Sequence, residues 1–246
     1  MTEQAPPVDL LNSPPAAGNT GLKYPSYKSF DRFIDVERLK ALDSYLIERI
    51  ERHRLLDVPD FFLNEHRLDA TAPHKPGARE VWLTRTKPGT SYNYLDLNKP
   101  ELWERTESAA EFSLLMDFIT ILPFHKTGRI LIIYDDQGLE VPAHRDHLDS
   151  EICHDFIWFR TNLNKPFYML NQHTGEKLYV SSYSAWFDTV NQFHGSDATA
   201  GLSFSVRVDG IFDRDFSRTI PRPLSNPAST PAYWASLTGG IFTNSG

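Results

Sequence analysis

The sequence predicts an α+β domain that is mainly β, with N-terminal helices packed against antiparallel strands. Apolar residues recur at helical spacing in the first half of the chain. From Arg129 onward, short β-rich runs alternate with turn signals at close intervals, which is typical of an antiparallel sandwich or barrel. Helices first and strands afterwards predict that the helices cover one face of a sheet.

The composition limits the class of protein. The chain has 246 residues, 40% of them hydrophobic and 13% aromatic, which suits one sizeable core. A net charge of -7 without any block of Lys and Arg argues against nucleic acid or an anionic membrane as partner. The single cysteine excludes an internal disulfide. Because neither a signal-peptide pattern nor a run of about eighteen apolar residues occurs, we expect a cytoplasmic protein.

Three segments are predicted along the chain. Residues 1–21 contain four prolines among small polar residues and predict a flexible arm. Residues 22–220 are predicted to form one domain, and residues 221–246, rich in Pro and Ser, an irregular C-terminal segment.

Two helices are predicted before the strands. The first lies in "SFDRFIDVERLKALDSYLIERIERHR", where apolar residues share one face. The second is "ESAAEFSLLMDFITIL", and "LPFHKTG" is expected to end it. The apolar positions of the first helix are Phe33, Ile34, Leu39, Leu42, Leu46 and Ile50.

The stretch "VPAHRDHLDSEICHD", residues 141–155, holds three histidines and three aspartates. His144 and Asp146 come at the end of a predicted strand, and side chains two apart on a strand point to the same face. His194, near the end of a later aromatic-rich strand, is the candidate third ligand. Two imidazoles and one carboxylate on one face of an ion suit non-haem Fe(II) and oxygen chemistry.

An arginine follows on the predicted strand "GLSFSVRVDGIF". Its alternation places Val206 and Val208 on one face, and Ser205, Arg207 and Asp209 on the other. If the polar face lines a cavity, an arginine there is costly unless an anion pairs with it. A guanidinium suits a carboxylate, so the sequence predicts an acidic ligand.

The pattern His144-x-Asp146, then His194, then Arg207 in a β-rich region resembles the Fe(II)/2-oxoglutarate-dependent dioxygenases, and more loosely their aspartyl/asparaginyl hydroxylase-like members. The resemblance covers about residues 115–215. It implies a double-stranded β-helix (a jelly roll) and an oxidoreductase that hydroxylates a C–H bond while 2-oxoglutarate and O2 yield succinate and CO2.

Carried over by residue, the resemblance implies that His144, Asp146 and His194 hold the iron. Arg207 would bind the distal carboxylate of 2-oxoglutarate, assisted by Ser205. Many members have Ser two residues after the arginine, whereas this chain has Asp209.

Three other residues have two interpretations each. Arg160 alternates with Trp158 and Asn162, so it either lines the cavity and binds a carboxylate or forms a surface ion pair. His147, with Asp149, repeats the first motif three residues later, and we expect it in the loop as a neighbour of the site or a solvated side chain. Trp186 is predicted either in the pocket wall or in the core.

Other functions stay open at this point. A cupin-like metal-binding or sensor module would keep the ligands without needing Arg207. A zinc hydrolase would use His144, His147 and a third group, and an interaction scaffold would bind no metal at all. For an oxygenase we expect a small-molecule or peptide-like substrate, possibly carboxylated, with residues 59–80 as a lid.

Overall fold

The computed structural model describes most of the predicted domain. The predicted N-terminal arm and C-terminal segment lie outside the described residues, as do residues 59–77 of the predicted lid. The described residues are 27–55, 78–90, 96–144, 146, 155–171, 174–189 and 192–217.

The first predicted helix is two helices, α1 (Val36–Ala41) and α2 (Asp43–Leu55). Phe33 and Ile34 precede α1, so the prediction that they share its face was wrong. The physical reason is the cap: the Asp35 side chain accepts a hydrogen bond from the Arg38 backbone N–H at 2.9 Å and begins the helix there.

The second predicted helix is also divided, into α3 (Ser108–Glu111) and α4 (Ser113–Ile119). Phe112 separates them, with φ −103° and ψ 35°, outside helical geometry. A short helix, α5 (Arg214–Ser217), follows the last strand. A 3-10 turn at Pro100–Leu102 precedes one of the short strands.

The larger sheet consists of β1 (Lys28–Ser29), β2 (Ala78–Trp82), β5 (Phe124–Asp135), β7 (Phe156–Phe159), β10 (Ser184–Trp186) and β12 (Ser203–Phe212). Their order is β1-β10-β7-β12-β5-β2, and all pairings are antiparallel. The helix ends before the segment "LPFHKTG", as expected, but Phe124 within that segment already belongs to β5. Phe124 is held there because Phe212, at the far end of β12, pairs with it.

A second antiparallel sheet has four strands in the order β6-β11-β8-β9, and β3 (Thr84–Thr86) pairs with β4 (Trp103–Arg105) in a separate ribbon. From β5 to β12 the chain passes repeatedly between the two larger sheets: β5, β7, β10 and β12 lie in one, and the intervening strands lie in the other. Those strands are β6 (Val141–His144), β8 (Phe167–Leu170), β9 (Lys177–Tyr179) and β11 (Phe193–Ser196).

The main core lies between the helices and the six-stranded sheet. Leu39 and Leu46 from the first helical region, and Phe118 from α4, share one buried cluster with Val206 and Val208 of β12. The predicted α+β, mainly β class with helices against one sheet is therefore confirmed. Among the described residues no helix is both long and apolar enough to cross a bilayer.

Candidate metal centre and cavity

The structure brings together the three residues that the sequence predicted as metal ligands. β11 pairs with β6 in a register that sets His194 opposite His144, and Asp146 follows β6 by two residues. One ligand atom from each lies within 4.8 Å of the others. The Asp146 Oδ1 atom is 3.6 Å from His144 Nε2 and 3.4 Å from His194 Nε2. This cluster is able to hold a metal ion.

Both imidazole rings are oriented by hydrogen bonds to the main chain. His144 Nδ1 lies 2.9 Å from the Pro142 carbonyl oxygen, and His194 Nδ1 lies 3.1 Å from that of Gln192. Because a carbonyl only accepts, each Nδ1 carries the proton and donates it. In this neutral tautomer the Nε2 atom carries a lone pair that faces Asp146. A metal ion at Nε2 requires this tautomer.

Asp146 has a different partner at each oxygen. Oδ1 faces the two imidazoles, whereas Oδ2 accepts a hydrogen bond from Arg207 Nη1 at 3.0 Å. The Asp146 backbone N–H donates to the Thr189 carbonyl oxygen at 3.0 Å, which ties this residue to the chain before β11. The carboxylate is therefore held from its backbone and from its outer oxygen, with the inner oxygen turned toward His144 and His194.

β12 shows the alternation that the sequence predicted. Val206 and Val208 lie in the core, and Ser205 and Arg207 line a cavity between the two larger sheets. Sequence reasoning missed that Arg207 already contacts two carboxylates of the protein itself, those of Asp146 and Asp209. Asp209 was visible on the same face from the alternation, but the position of Asp146 depends on the packing of the other sheet.

The cavity, of about 180 Å³, is open to the metal-ligand cluster and lined by aromatic and charged side chains. Four of the lining residues are cationic and three are carboxylates, and a further carboxylate, Asp209, pairs with two of the cations. The cations are Arg129, Arg160, Lys165 and Arg207; the carboxylates are Glu80, Asp135 and Asp146; the aromatic residues nearest the cluster are Phe167 and Phe187.

Arg160 lines the cavity, but its guanidinium also donates to main-chain carbonyl oxygens of Lys165, Val180 and Ser182. Only 5% of Arg160 is exposed, so the surface ion pair that the sequence left open is wrong. Burial lowers the pKa of its guanidinium to about 10, and the group remains protonated at neutral pH. A carboxylate ligand at Arg160 has to compete with these hydrogen bonds.

Lys165 and Phe187 are among the cavity residues that were not found from the sequence. Lys165, in the turn before β8, forms an ion pair with Asp135 and donates to the Leu139 carbonyl oxygen. Phe187 lies beside His194, with ring centroids 5.1 Å apart. Trp186, its neighbour, is 1% exposed within the main core, so the core interpretation holds. His147, whose motif duplicates the first one, lies outside the described residues.

No family model and no curated protein matches the chain. Among solved structures, a prolyl-4-hydroxylase from Pseudomonas putida is similar with a TM-score of 0.40 and 11% identity, over 76% of this chain and 91% of that one. An oxidoreductase of the 2OG-Fe(II) oxygenase family from Burkholderia pseudomallei has a TM-score of 0.36 and 10% identity, over 55% and 68%. Likenesses this distant do not bear on the family or activity of this chain.

Proposed function

We propose that the protein is an Fe(II)- and 2-oxoglutarate-dependent oxygenase that hydroxylates a C–H bond of a small-molecule or peptide-like substrate. The observation that carries the proposal is the convergence of His144, Asp146 and His194 within 4.8 Å at the wall of a cavity. Two imidazole nitrogens and one carboxylate oxygen form a donor set that suits Fe(II) and leaves coordination positions for other ligands.

The path of the chain supports the same proposal. Strands β5 to β12 divide equally between the two larger sheets, and the chain crosses from one sheet to the other after every strand except β8. We propose that these eight strands form a double-stranded β-helix. Residues 124–212 would then be its extent, within the 115–215 predicted from the sequence.

The protein residues have separate parts in this site. When bound, iron would couple the oxidation of 2-oxoglutarate to succinate and CO2 with activation of O2 for the hydroxylation. His144, Asp146 and His194 would hold the ion, with the Nε2 atoms of the two histidines and Oδ1 of Asp146 turned toward one another by the contacts described above. Arg207 and Ser205 line the cavity and are the proposed contacts for the distal carboxylate of 2-oxoglutarate.

The cavity wall also favours one class of substrate. Arg160 adds positive charge beyond Arg207, whereas Lys165 is paired with Asp135, and Trp158 and Phe167 add apolar area. We therefore propose a substrate that carries a carboxylate beside an apolar or aliphatic part. This follows from charge complementarity between the wall and its ligand.

The proposal is tested by adding Fe(II) and 2-oxoglutarate to the protein without oxygen and recording the weak visible charge-transfer band of the chelate. Oxygen is then admitted and succinate is measured. We expect both signals from the wild type. His144→Ala and Asp146→Ala should lose iron binding, and Arg207→Ala should bind 2-oxoglutarate more weakly at saturating iron. His125→Ala, which removes an exposed histidine on β5, is the matched control.

Other outcomes identify the alternatives. Metal binding without any effect of 2-oxoglutarate would point to a metal-binding or sensor module, and tight zinc binding with hydrolysis would point to a zinc hydrolase. If His147→Ala abolishes iron binding and His144→Ala does not, the second motif holds the metal. Each of these results contradicts the proposed site or its activity.

A further inference from the structure

We propose that Asp209 is a positioning residue for the metal centre and that it acts through Arg207. Four side chains alternate in charge beside the cavity: Arg129, Asp209 and Arg207, which are buried, and Asp146, which is partly buried. We call them the ion chain. The proposal rests on the proposed function only in assuming that a divalent metal binds at His144, Asp146 and His194.

Asp209 lies at the centre of the ion chain and is fully buried. Its Oδ1 atom accepts a hydrogen bond from Arg207 Nε at 3.0 Å and lies 3.0 Å from Arg207 Nη2. Its Oδ2 atom accepts a hydrogen bond from Arg129 Nε at 2.9 Å. One carboxylate therefore joins two guanidinium groups, which offsets the cost of removing all of these charges from water.

The contacts of Asp209 determine where Arg207 points. The guanidinium is planar and its donors form a rigid fork. The hydrogen bond from Nε to Asp209 therefore sets the direction of Nη1. The ring of Phe156 supports the group from one side, with its centroid 4.2 Å from the guanidinium carbon. Nη1 is then aimed at Asp146 Oδ2, at 3.0 Å.

This direction matters for the metal because Asp146 Oδ1 is the atom that faces both histidines. If Asp209 no longer held the Nε edge, Arg207 would be able to turn and pair with both oxygens of Asp146, the arrangement that guanidinium and carboxylate groups often adopt. Oδ1 would then be drawn from its place between His144 and His194, and the guanidinium would compete with the metal for it.

The negative charge of Asp209 also favours metal binding. The two arginines and two aspartates of the ion chain sum to zero. Replacing Asp209 by Asn leaves one excess positive charge close to the metal site, and a buried like charge opposes the binding of a cation.

Cobalt(II) tests the inference because its visible spectrum reports both affinity and ligand geometry without any catalytic turnover. We expect Asp209→Asn to raise the Kd for Co(II) about 10- to 100-fold, the usual effect of losing a group that orients a metal ligand, and to alter the d–d bands. Asp197→Asn should change the Kd less than twofold, because Asp197 pairs with Lys177 and Tyr179 away from the cavity.

A double-mutant cycle distinguishes positioning from a general structural role. In an Arg207→Gln background, Asp209→Asn should weaken Co(II) binding by no more than about threefold further, because the group through which it acts is gone. Arg207→Lys keeps the charge but lacks the planar fork, so we expect it to weaken Co(II) binding as well. If Asp209→Asn does not fold, Arg207→Lys still tests whether the orientation of Arg207 affects Co(II) binding.

Three results would overturn the inference while leaving the proposed metal site intact: wild-type Kd and spectrum in Asp209→Asn, wild-type affinity in Arg207→Lys, or fully multiplicative losses in the cycle. A wild-type protein that binds neither Co(II) nor Fe(II) would instead overturn the proposed function.

Discussion

At the scale of single residues, the absence of a side chain at Gly195 allows the two histidines to meet. A Cβ atom there would lie 2.5 Å from the Val141 carbonyl oxygen and 2.7 Å from the Tyr168 hydroxyl oxygen. Val141 is on β6 and Tyr168 on β8, the two strands that flank β11. A larger residue would therefore push β11 away from β6, and His194 away from His144.

We expect Gly195→Ala to lower stability by about 1–3 kcal/mol, the usual cost of overpacking, and to weaken Co(II) binding. Thermal unfolding and a Co(II) titration measure the two effects. Gly201→Ala is the control: Gly201 has φ +84° with open space around it, so backbone strain of about 1–2 kcal/mol should leave the Kd unchanged. A wild-type Kd in Gly195→Ala would show that the separation of β6 and β11 does not depend on this glycine.

The metal-ligand cluster was largely predictable at this scale. His144 and Asp146 share a face because a strand has a period of two residues. His194 was chosen as the third ligand because it comes at an aromatic-rich strand and before a Gly-Ser turn, and the resemblance gave it the same role; its register opposite His144 became visible only in the sheet. Of the two carboxylates that contact Arg207, Asp209 was visible on the same face of β12, whereas Asp146 was not predictable because it comes from a distant part of the chain.

At the scale of elements, a polar cluster stabilises the face of the four-stranded sheet away from the cavity. Asp197, directly after β11, accepts hydrogen bonds from Lys177 and Tyr179 of β9. Burial acts to raise the pKa of the Asp197 carboxyl, but the hydrogen bonds and the charge of Lys177 together outweigh it and leave that pKa below its ordinary 3.8. The ionised form is therefore favoured in the folded state.

The sign of the pH dependence follows from this shift. Because the pKa of Asp197 is lower in the folded protein than in the unfolded chain, its contribution is present above the unfolded value of 3.8 and is lost as pH falls through the folded value. We expect Asp197→Asn to unfold at a lower temperature than the wild type near neutral pH, by at most about 1 kcal/mol because the pair is partly exposed. The difference should close below the ordinary pKa.

Thermal unfolding followed by circular dichroism across this pH range checks the prediction. A difference that persists unchanged in strong acid would show that the amide, rather than the lost charge, causes it. Asp117→Asn, which changes a carboxylate on the helical side of the molecule, controls for the change in net charge.

At the scale of the whole molecule, the six-stranded sheet separates two environments. Its outer face packs against α1, α2 and α4 in the main core, and its inner face lines the cavity. Along one strand, the residues that face the helices therefore contribute to stability, and the alternate residues face the cavity and contribute to ligand binding. A change in the helical layer should affect unfolding without altering the metal site.

We expect Leu46→Ala to destabilise the protein by about 2–5 kcal/mol, because Leu46 is fully buried and its removal leaves a void. At temperatures where the variant is folded, its Kd for Co(II) should equal that of the wild type. Leu114→Ala, at a position 48% exposed, is the control and should have little effect on either quantity. A changed Kd in Leu46→Ala would show that the helical layer and the metal site are coupled.

Because the helical layer and the metal site are separate, metal binding is measurable as an increase in the free energy of unfolding. A ligand that binds the folded state alone raises its stability by about 2.7 kcal/mol at a concentration of one hundred times its Kd. Leu46→Ala and wild type should therefore gain the same free energy from Co(II), although they begin from different values.

Local patterns in the sequence by themselves determined the class of fold, the alternating faces of β12, and the pairing of His144 with Asp146, because helical and strand periods are properties of neighbouring residues. The start of α1 at Asp35 is also local, because its cap joins residues three apart. The tertiary structure alone decided the start of β5 at Phe124 and the contacts of the ion chain with Arg129 and Asp146. Those features depend on strand registers and buried charges contributed by residues far apart in the chain, which meet only when the two sheets close on each other.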